Sequence, residues 1–212
     1  MRASLVYDYA NARNAIRLYD EFARGAPDEI SADAGLMMGA SGERLFGVSI
    51  CYIGPVAEGE RVFERVLKPL RAAVAPVEEQ IAPIPYLEIQ SAADSIFPRG
   101  RRFYRKAQFL RQITDAAVDT LLEQFAAAPS PLSIAVLQQV GGAIARVPAL
   151  ETAYANRDAA YDCFPIAIWQ DPADDQANVR WAREFWATMR PFSTGGVYVN
   201  NLGDEGEERI RA

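Results

Sequence analysis

Y-D-C-F-P-I-A-I-W, residues 161–169, is a run of strand-forming and apolar residues interrupted only by Asp162 and Pro165, and it reads as a β-strand. Asp171-Pro172 follows as an N-cap with proline at the first helical position. It opens a helix whose apolar face is Val179, Ala182, Trp186 and Met189. Upstream, Ser133 to Val140 is a second strand, and Thr114 caps a helix that buries Val118, Leu121, Leu122 and Phe125. Arg102 to Phe109 is a third strand, so the second half of the chain spells β-α-β-β-α.

The first half spells the same order. Leu5 to Tyr7 is a strand, and Ala12, Ala15, Ile16, Tyr19, Phe22 and Ala23 recur at helical spacing until Gly25-Ala26-Pro27. Glu29 to Met38 and Leu45 to Ile53 are extended around a Ser41-Gly42 hairpin turn, and Val62, Phe63, Val66, Leu67 and Leu70 share a helix face. The stretch from Pro76 to Pro98 holds four prolines and predicts an irregular crossing with a short helix near Tyr86 to Asp94. The fold class is therefore α+β: two βαββα repeats forming one largely antiparallel sheet, with helices packed on one face.

That arrangement leaves the other sheet face in need of a cover or a use. Gln138 and Gln139 are adjacent, so alternation points one amide away from the helices, and Asp162 interrupts an apolar strand. A site on the bare face is the expectation.

Composition narrows the chemistry. The 212 residues carry 22 basic and 28 acidic side chains, a net charge of −6 that argues against nucleic acid as a partner. No histidine is present, which removes every imidazole-based triad, shuttle and common metal or haem ligand set, and no metal site is expected. Cys51 and Cys163 stand far apart in apolar runs and read as reduced core thiols. The N-terminus lacks a signal-length apolar stretch and no segment approaches the ~18 apolar residues of a membrane span, so a cytoplasmic setting is expected.

The text becomes specific from Tyr161 onward, where Y-D-C-F-P-I-A-I-W precedes N-V-R-W-A-R-E-F-W and P-F-S-T-G-G-V-Y-V-N-N-L. Ahead of these stand F-P-R-G-R-R-F-Y-R-K (97–106), G-G-A-I-A-R-V (141–147) and T-A-Y-A-N-R (152–157). In this order the chain resembles the substrate-binding domain of the FAD-linked oxidases of the berberine-bridge-enzyme group, relatives of vanillyl-alcohol oxidase. The resemblance covers nearly the whole chain and rests on several motifs in register. It implies one substrate-binding domain over residues 1–212, and FAD held mainly by a domain or subunit outside this chain. Asp204 to Arg211 reads as a short acidic-to-basic helix without a C-cap, so the domain reads as truncated at both ends.

By the family's motif, Asp162 matches a glutamate that helps remove a substrate proton, and burial would raise its pKa toward the range of a general base. A solvated strand-edge aspartate is the structural alternative. Gln138, Gln139 and Tyr198 match positions that line the substrate cavity; surface decoration for the glutamines and packing for Tyr198 are the alternatives. Asn200 and Asn201 match the flavin edge. Asn201 stands where the family often has a tyrosine base, and an amide cannot serve as one. Arg157 matches a family arginine and is expected to form a structural salt bridge. Arg99, Arg101, Arg102, Arg105 and Lys106 read as an interface or solvated edge. The implied activity is oxidation of a small hydroxylated or amine substrate, with the chain inactive in redox chemistry alone. A stand-alone small-molecule-binding or homodimerisation module, and an inactive remnant, are the competing readings.

Overall fold

The structure is a computed structural model and describes residues 1–203. The acidic-to-basic segment from Asp204 onward lies outside the described residues. In chain order the elements are β1 (Arg2–Asp8), α1 (Ala12–Gly25), β2 (Ile30–Met38), β3 (Arg44–Tyr52), α2 (Val56–Val66), α3 (Lys68–Ala72), β4 (Glu78–Ala82) and α4 (Tyr86–Ser91). Then come β5 (Arg102–Arg105), β6 (Gln108–Leu110), α5 (Asp115–Ala126), β7 (Ile134–Gln139), α6 (Ala143–Arg146), β8 (Tyr161–Trp169) and α7 (Asp175–Met189). The strands form one sheet in the order β4-β1-β3-β2-β7-β8-β5, with β6 also paired to β8, and every pairing is antiparallel.

The two repeats meet through β2 and β7: β4-β1-β3-β2 makes one half of the sheet, and β7-β8, with β5 and β6 both on the far edge of β8, makes the other. Hairpin β2–β3 turns at Gly42, whose φ of +85° requires glycine. Thr114 caps α5 by accepting from the Ala117 amide. Helices α1, α5 and α7 bury Ala12, Ile16, Tyr19, Val118, Leu121, Phe125, Trp181 and Phe185 against Leu5, Phe46, Val48, Leu137 and Cys163 of the sheet. Tyr19 sits at the seam, fully buried. Its hydroxyl is shared between the carbonyl of Ala32 on β2 at 2.9 Å and that of Leu137 on β7 at 3.1 Å.

Four expectations are refined. The proline-rich crossing contains β4, an edge strand on β1; its sequence Glu-Glu-Gln-Ile-Ala lacks alternation because an edge is solvated and polar. The helix through Val62 and Leu70 is two helices, with Pro69 starting the second. The strand predicted from Arg102 to Phe109 is interrupted at Lys106-Ala107, although Arg105↔Ile166 and Gln108↔Cys163 keep one register. Pro165 stands opposite the gap and has no N–H to donate. The face opposite the helices is not wholly bare: Ala107, Phe164, Ile166 and Ile168 form a second, smaller core there.

Replacing Tyr19 with Phe removes the hydroxyl shared across the seam while keeping the ring. Equilibrium urea unfolding is expected to show a loss of about 1–2 kcal/mol with an unchanged m-value. Unchanged stability would show that the shared hydrogen bond does not contribute to joining the halves.

Candidate functional site

β8 is buried along its whole length, so its two faces have different neighbours and no water-facing side. Tyr161, Cys163, Ala167 and Trp169 belong to the helix-side core, and Phe164, Ile166 and Ile168 to the second one. Asp162 lies on the second face by alternation. It is 1% exposed.

What covers Asp162 comes from the far end of the chain. Segment 193–196 runs beside β6: the Phe109 amide donates to Gly196 O at 3.0 Å and the Thr194 amide to Phe109 O at 2.9 Å. Gly195, at φ +93°, turns the segment over the sheet. A single 3-10 turn at Val199–Asn201 then places the Asn201 amide against Asp162, with Nδ2 donating to Oδ2 at 2.7 Å. Arg105 holds the turn by donating to Asn200 O at 2.7 Å.

The other carboxylate oxygen, Asp162 Oδ1, is buried and has no hydrogen-bond partner. Burial pushes the Asp162 carboxyl up to about 6; the Asn201 hydrogen bond and the Arg105 charge pull the other way. Tyr154 is the neighbour that sequence reasoning missed. Its ring stands edge-on to Phe109 at 6.0 Å and to Tyr198 at 6.2 Å, and Phe109 is the cross-strand partner of Asp162. The Tyr154 hydroxyl is also buried without a partner. Burial, and then the Asp162 charge, raise its pKa above the ordinary phenol value, so it stays protonated. Its signal is the tyrosine of the T-A-Y-A-N-R stretch, three residues before Arg157.

Of the residues expected at the site, Asp162, Gln138, Tyr198, Asn200 and Asn201 come together and Gln139 does not. Gln138 is exposed and is the register partner of Asp162 on the same face. Gln139 faces the helices, where its Oε1 accepts from the Ala32 amide at 2.9 Å and its Nε2 donates to Ala23 O at 2.7 Å. The expectation that it lines the site is corrected: both ends of its amide are committed to backbone. Tyr198 is 37% exposed and its hydroxyl accepts from Asn200 Nδ2 at 2.8 Å. Asn201, expected at the flavin edge, is 7% exposed and its amide is spent on Asp162.

Arg157 donates to Ile144 O and to the Thr152 hydroxyl and lies over the Tyr154 ring at 4.9 Å, in place of the expected salt bridge. The basic cluster is largely engaged within the chain: Arg102 pairs with Asp175, Arg105 holds Asn200, and Lys106 lies over the Trp186 ring. Both cysteines are unbridged, Cys163 buried and Cys51 half-buried. Among the described residues no group of His, Cys, Asp and Glu could hold a metal, and no helix is long and apolar enough to cross a membrane.

No family model matches the chain. It is 22% identical over 197 residues to an FAD-linked oxidoreductase of Dictyostelium discoideum, covering 91% of this chain and 41% of that protein. It is 29% identical over 153 residues to the uncharacterized FAD-linked oxidoreductase YgaK of Bacillus subtilis, covering 70% and 32%. In fold it is similar to the berberine-bridge-enzyme-like protein 28 of Arabidopsis thaliana, with a TM-score of 0.77 at 18% identity, over 99% of this chain and 49% of that one. The chain thus spans less than half the length of the curated relatives it matches. In sequence the chain resembles FAD-linked oxidoreductases, and in fold it resembles the berberine-bridge-enzyme-like proteins.

The raised Asp162 pKa makes a signed prediction about stability. Between the ordinary 3.8 and about 6, the folded chain binds this proton more tightly than the unfolded chain. Asp162 therefore lowers stability progressively as pH rises through that window, and its full penalty applies above it. Asp162→Asn keeps a neutral side chain throughout. Relative to wild type, the variant is expected to gain up to about 3 kcal/mol between pH 4 and pH 7 in urea unfolding; a pH-independent difference would show that the carboxylate is not desolvated.

Proposed function

We propose that residues 1–212 act as the substrate-binding part of an FAD-dependent oxidoreductase of a small hydroxylated or amine substrate, in a cytoplasmic setting. The flavin is held mainly by a separate FAD-binding domain or subunit, and this chain by itself carries out no redox step. The observation that carries the reading is the buried, unpartnered Oδ1 of Asp162 on the sheet face away from the helices. An ionised carboxylate oxygen left without a donor in an apolar strand is costly, and a ligand hydroxyl or ammonium would supply the missing hydrogen bond.

The residues around it suit a substrate wall that meets a flavin edge. Tyr198 and Asn200, both exposed, present a hydroxyl and an amide there. When bound, the flavin would supply hydride acceptance at N5. The chain's own part is proton handling and orientation. Asp162, at about 6, is ionised at neutral pH and basic enough to take the substrate proton at Oδ1. Asn201 steadies the ionised form through Oδ2, and the Tyr154 hydroxyl donates to the substrate heteroatom. Exposed apolar side chains on or beside the same face, among them Phe97, Phe103 and Val199, suit burial against the flavin-bearing partner.

The chain co-expressed with its flavin-binding partner is expected to purify as a yellow complex that a suitable alcohol or amine bleaches. Asp162→Asn should slow the bleaching by about 10²–10⁴-fold. A colourless dimer of the chain would favour a second copy as the cover of this face, and a yellow complex indifferent to Asp162→Asn would end the proton assignment while leaving the domain assignment in place.

A further inference from the structure

Asp33 and Asp162 stand in one row across the sheet. On the face away from the helices, Ser4 pairs with Ser49, Ser49 with Asp33, Asp33 with Gln138, and Gln138 with Asp162. Antiparallel partners share a face, so these five polar side chains form one lane perpendicular to the strands. The next row on that face is Val6, Gly47, Gly35, Val136 and Phe164, apolar or without a side chain. On its other side the row opens with Arg2, Cys51 and Ser31, and Arg2 Nε donates to the Ser49 hydroxyl at 3.3 Å, so the lane has an apolar border on one side and a polar one on the other.

Asp33 lies in the middle of a nine-residue interior strand, half-buried. Its Oδ1 accepts from the Gln139 amide at 3.2 Å, and the Gln138 side chain also donates to it. A carboxylate accepts about four hydrogen bonds, so capacity remains. Burial pushes its carboxyl up to about 6. At about 4.8 Å per strand, Asp33 lies two strands, or about 10 Å, from Asp162, and exposed Gln138 stands between them with both a donor and an acceptor. The buried, unpartnered Asp162 Oδ1 at the end of the lane is the independent sign that a ligand belongs there.

We propose that this lane is a ligand track in which Asp33 is a specificity-determining residue. It holds a second hydrogen-bond-donating group, a hydroxyl or an ammonium, of an elongated substrate whose reacting group lies at Asp162. The inference rests on the reading of this face as the substrate wall, and it adds the shape and chemistry of the substrate: two donor groups separated by the width of two strands.

The test needs no flavin. The full chain, labelled with ¹⁵N, is titrated with heptane-1,7-diol, 7-aminoheptan-1-ol and 7-methoxyheptan-1-ol while the Asp33 and Gln138 amide signals are followed. The methoxy probe matches the others in length but cannot donate to a carboxylate at its far end. Wild type is expected to bind the two-donor probes about tenfold more tightly than the methoxy probe. Asp33→Ala, which removes the acceptor altogether, should bring that ratio close to one with methoxy binding unchanged, and Asp33→Val serves as the second variant should the smaller side chain perturb the strand. A preference for the amine that fades with salt identifies the ammonium as the second group; equal binding of diol and amine identifies the hydroxyl. Either supports the track.

Equal affinity for diol and methoxy probe in wild type, a preference surviving in both variants, or no perturbation of either amide by any probe overturns it. Failure of Asp162→Asn to slow flavin reduction would instead strike the proton assignment, so the two ideas can fail separately.

Discussion

A strand buried on both faces has no solvent in which to dissolve a charge, and β8 is such a strand. Apolar residues fill eight of its nine positions; the ninth, Asp162, has to be answered by the protein. The answer is incomplete: Asn201 satisfies one oxygen and leaves the other bare. In an environment that excludes water, a half-satisfied carboxylate raises its own pKa and attracts any donor that reaches it. The proposed chemistry depends on that unsatisfied oxygen.

The architecture explains how such a residue is tolerated. Helices α1, α5 and α7 build the main core on one side of the sheet and Tyr19 clamps the seam between its halves. Stability can therefore come mostly from the helix side. The other side is left with a small core of Phe164, Ile166, Ile168 and Ala107, a polar lane from Ser4 to Asp162, and a turn laid over one end. The main core and the half-satisfied Asp162 thus lie on opposite faces of one sheet, a division available to an antiparallel sheet with its helices on one face.

Legibility from sequence followed the physics of each element. Periodicity and caps are local, so the β-α-β-β-α order, the Thr114 cap, the Gly42 turn and the limits of β8 could all be read directly. The edge strand β4 could not, since its pairing with β1 comes from across the fold and its polar residues carry no alternation. Nor could the break at Lys106-Ala107, whose cause, Pro165, lies on the opposing strand. Alternation required the two glutamines to part company, but only the packed sheet shows that Gln139 is the one bound to Ala23 and Ala32.

Residue types and their spacing determined, without any coordinates, that imidazole chemistry is absent, that the fold is an antiparallel α+β sheet, and that Asp162 interrupts an apolar strand. Tertiary structure decided which groups meet: Asn201 against Asp162 across 39 positions of sequence, Tyr154 beside Phe109, and Asp33 in line with Asp162. Local periods are written into neighbouring residues, whereas cross-strand register and the path of a covering segment arise only when the whole chain closes on itself.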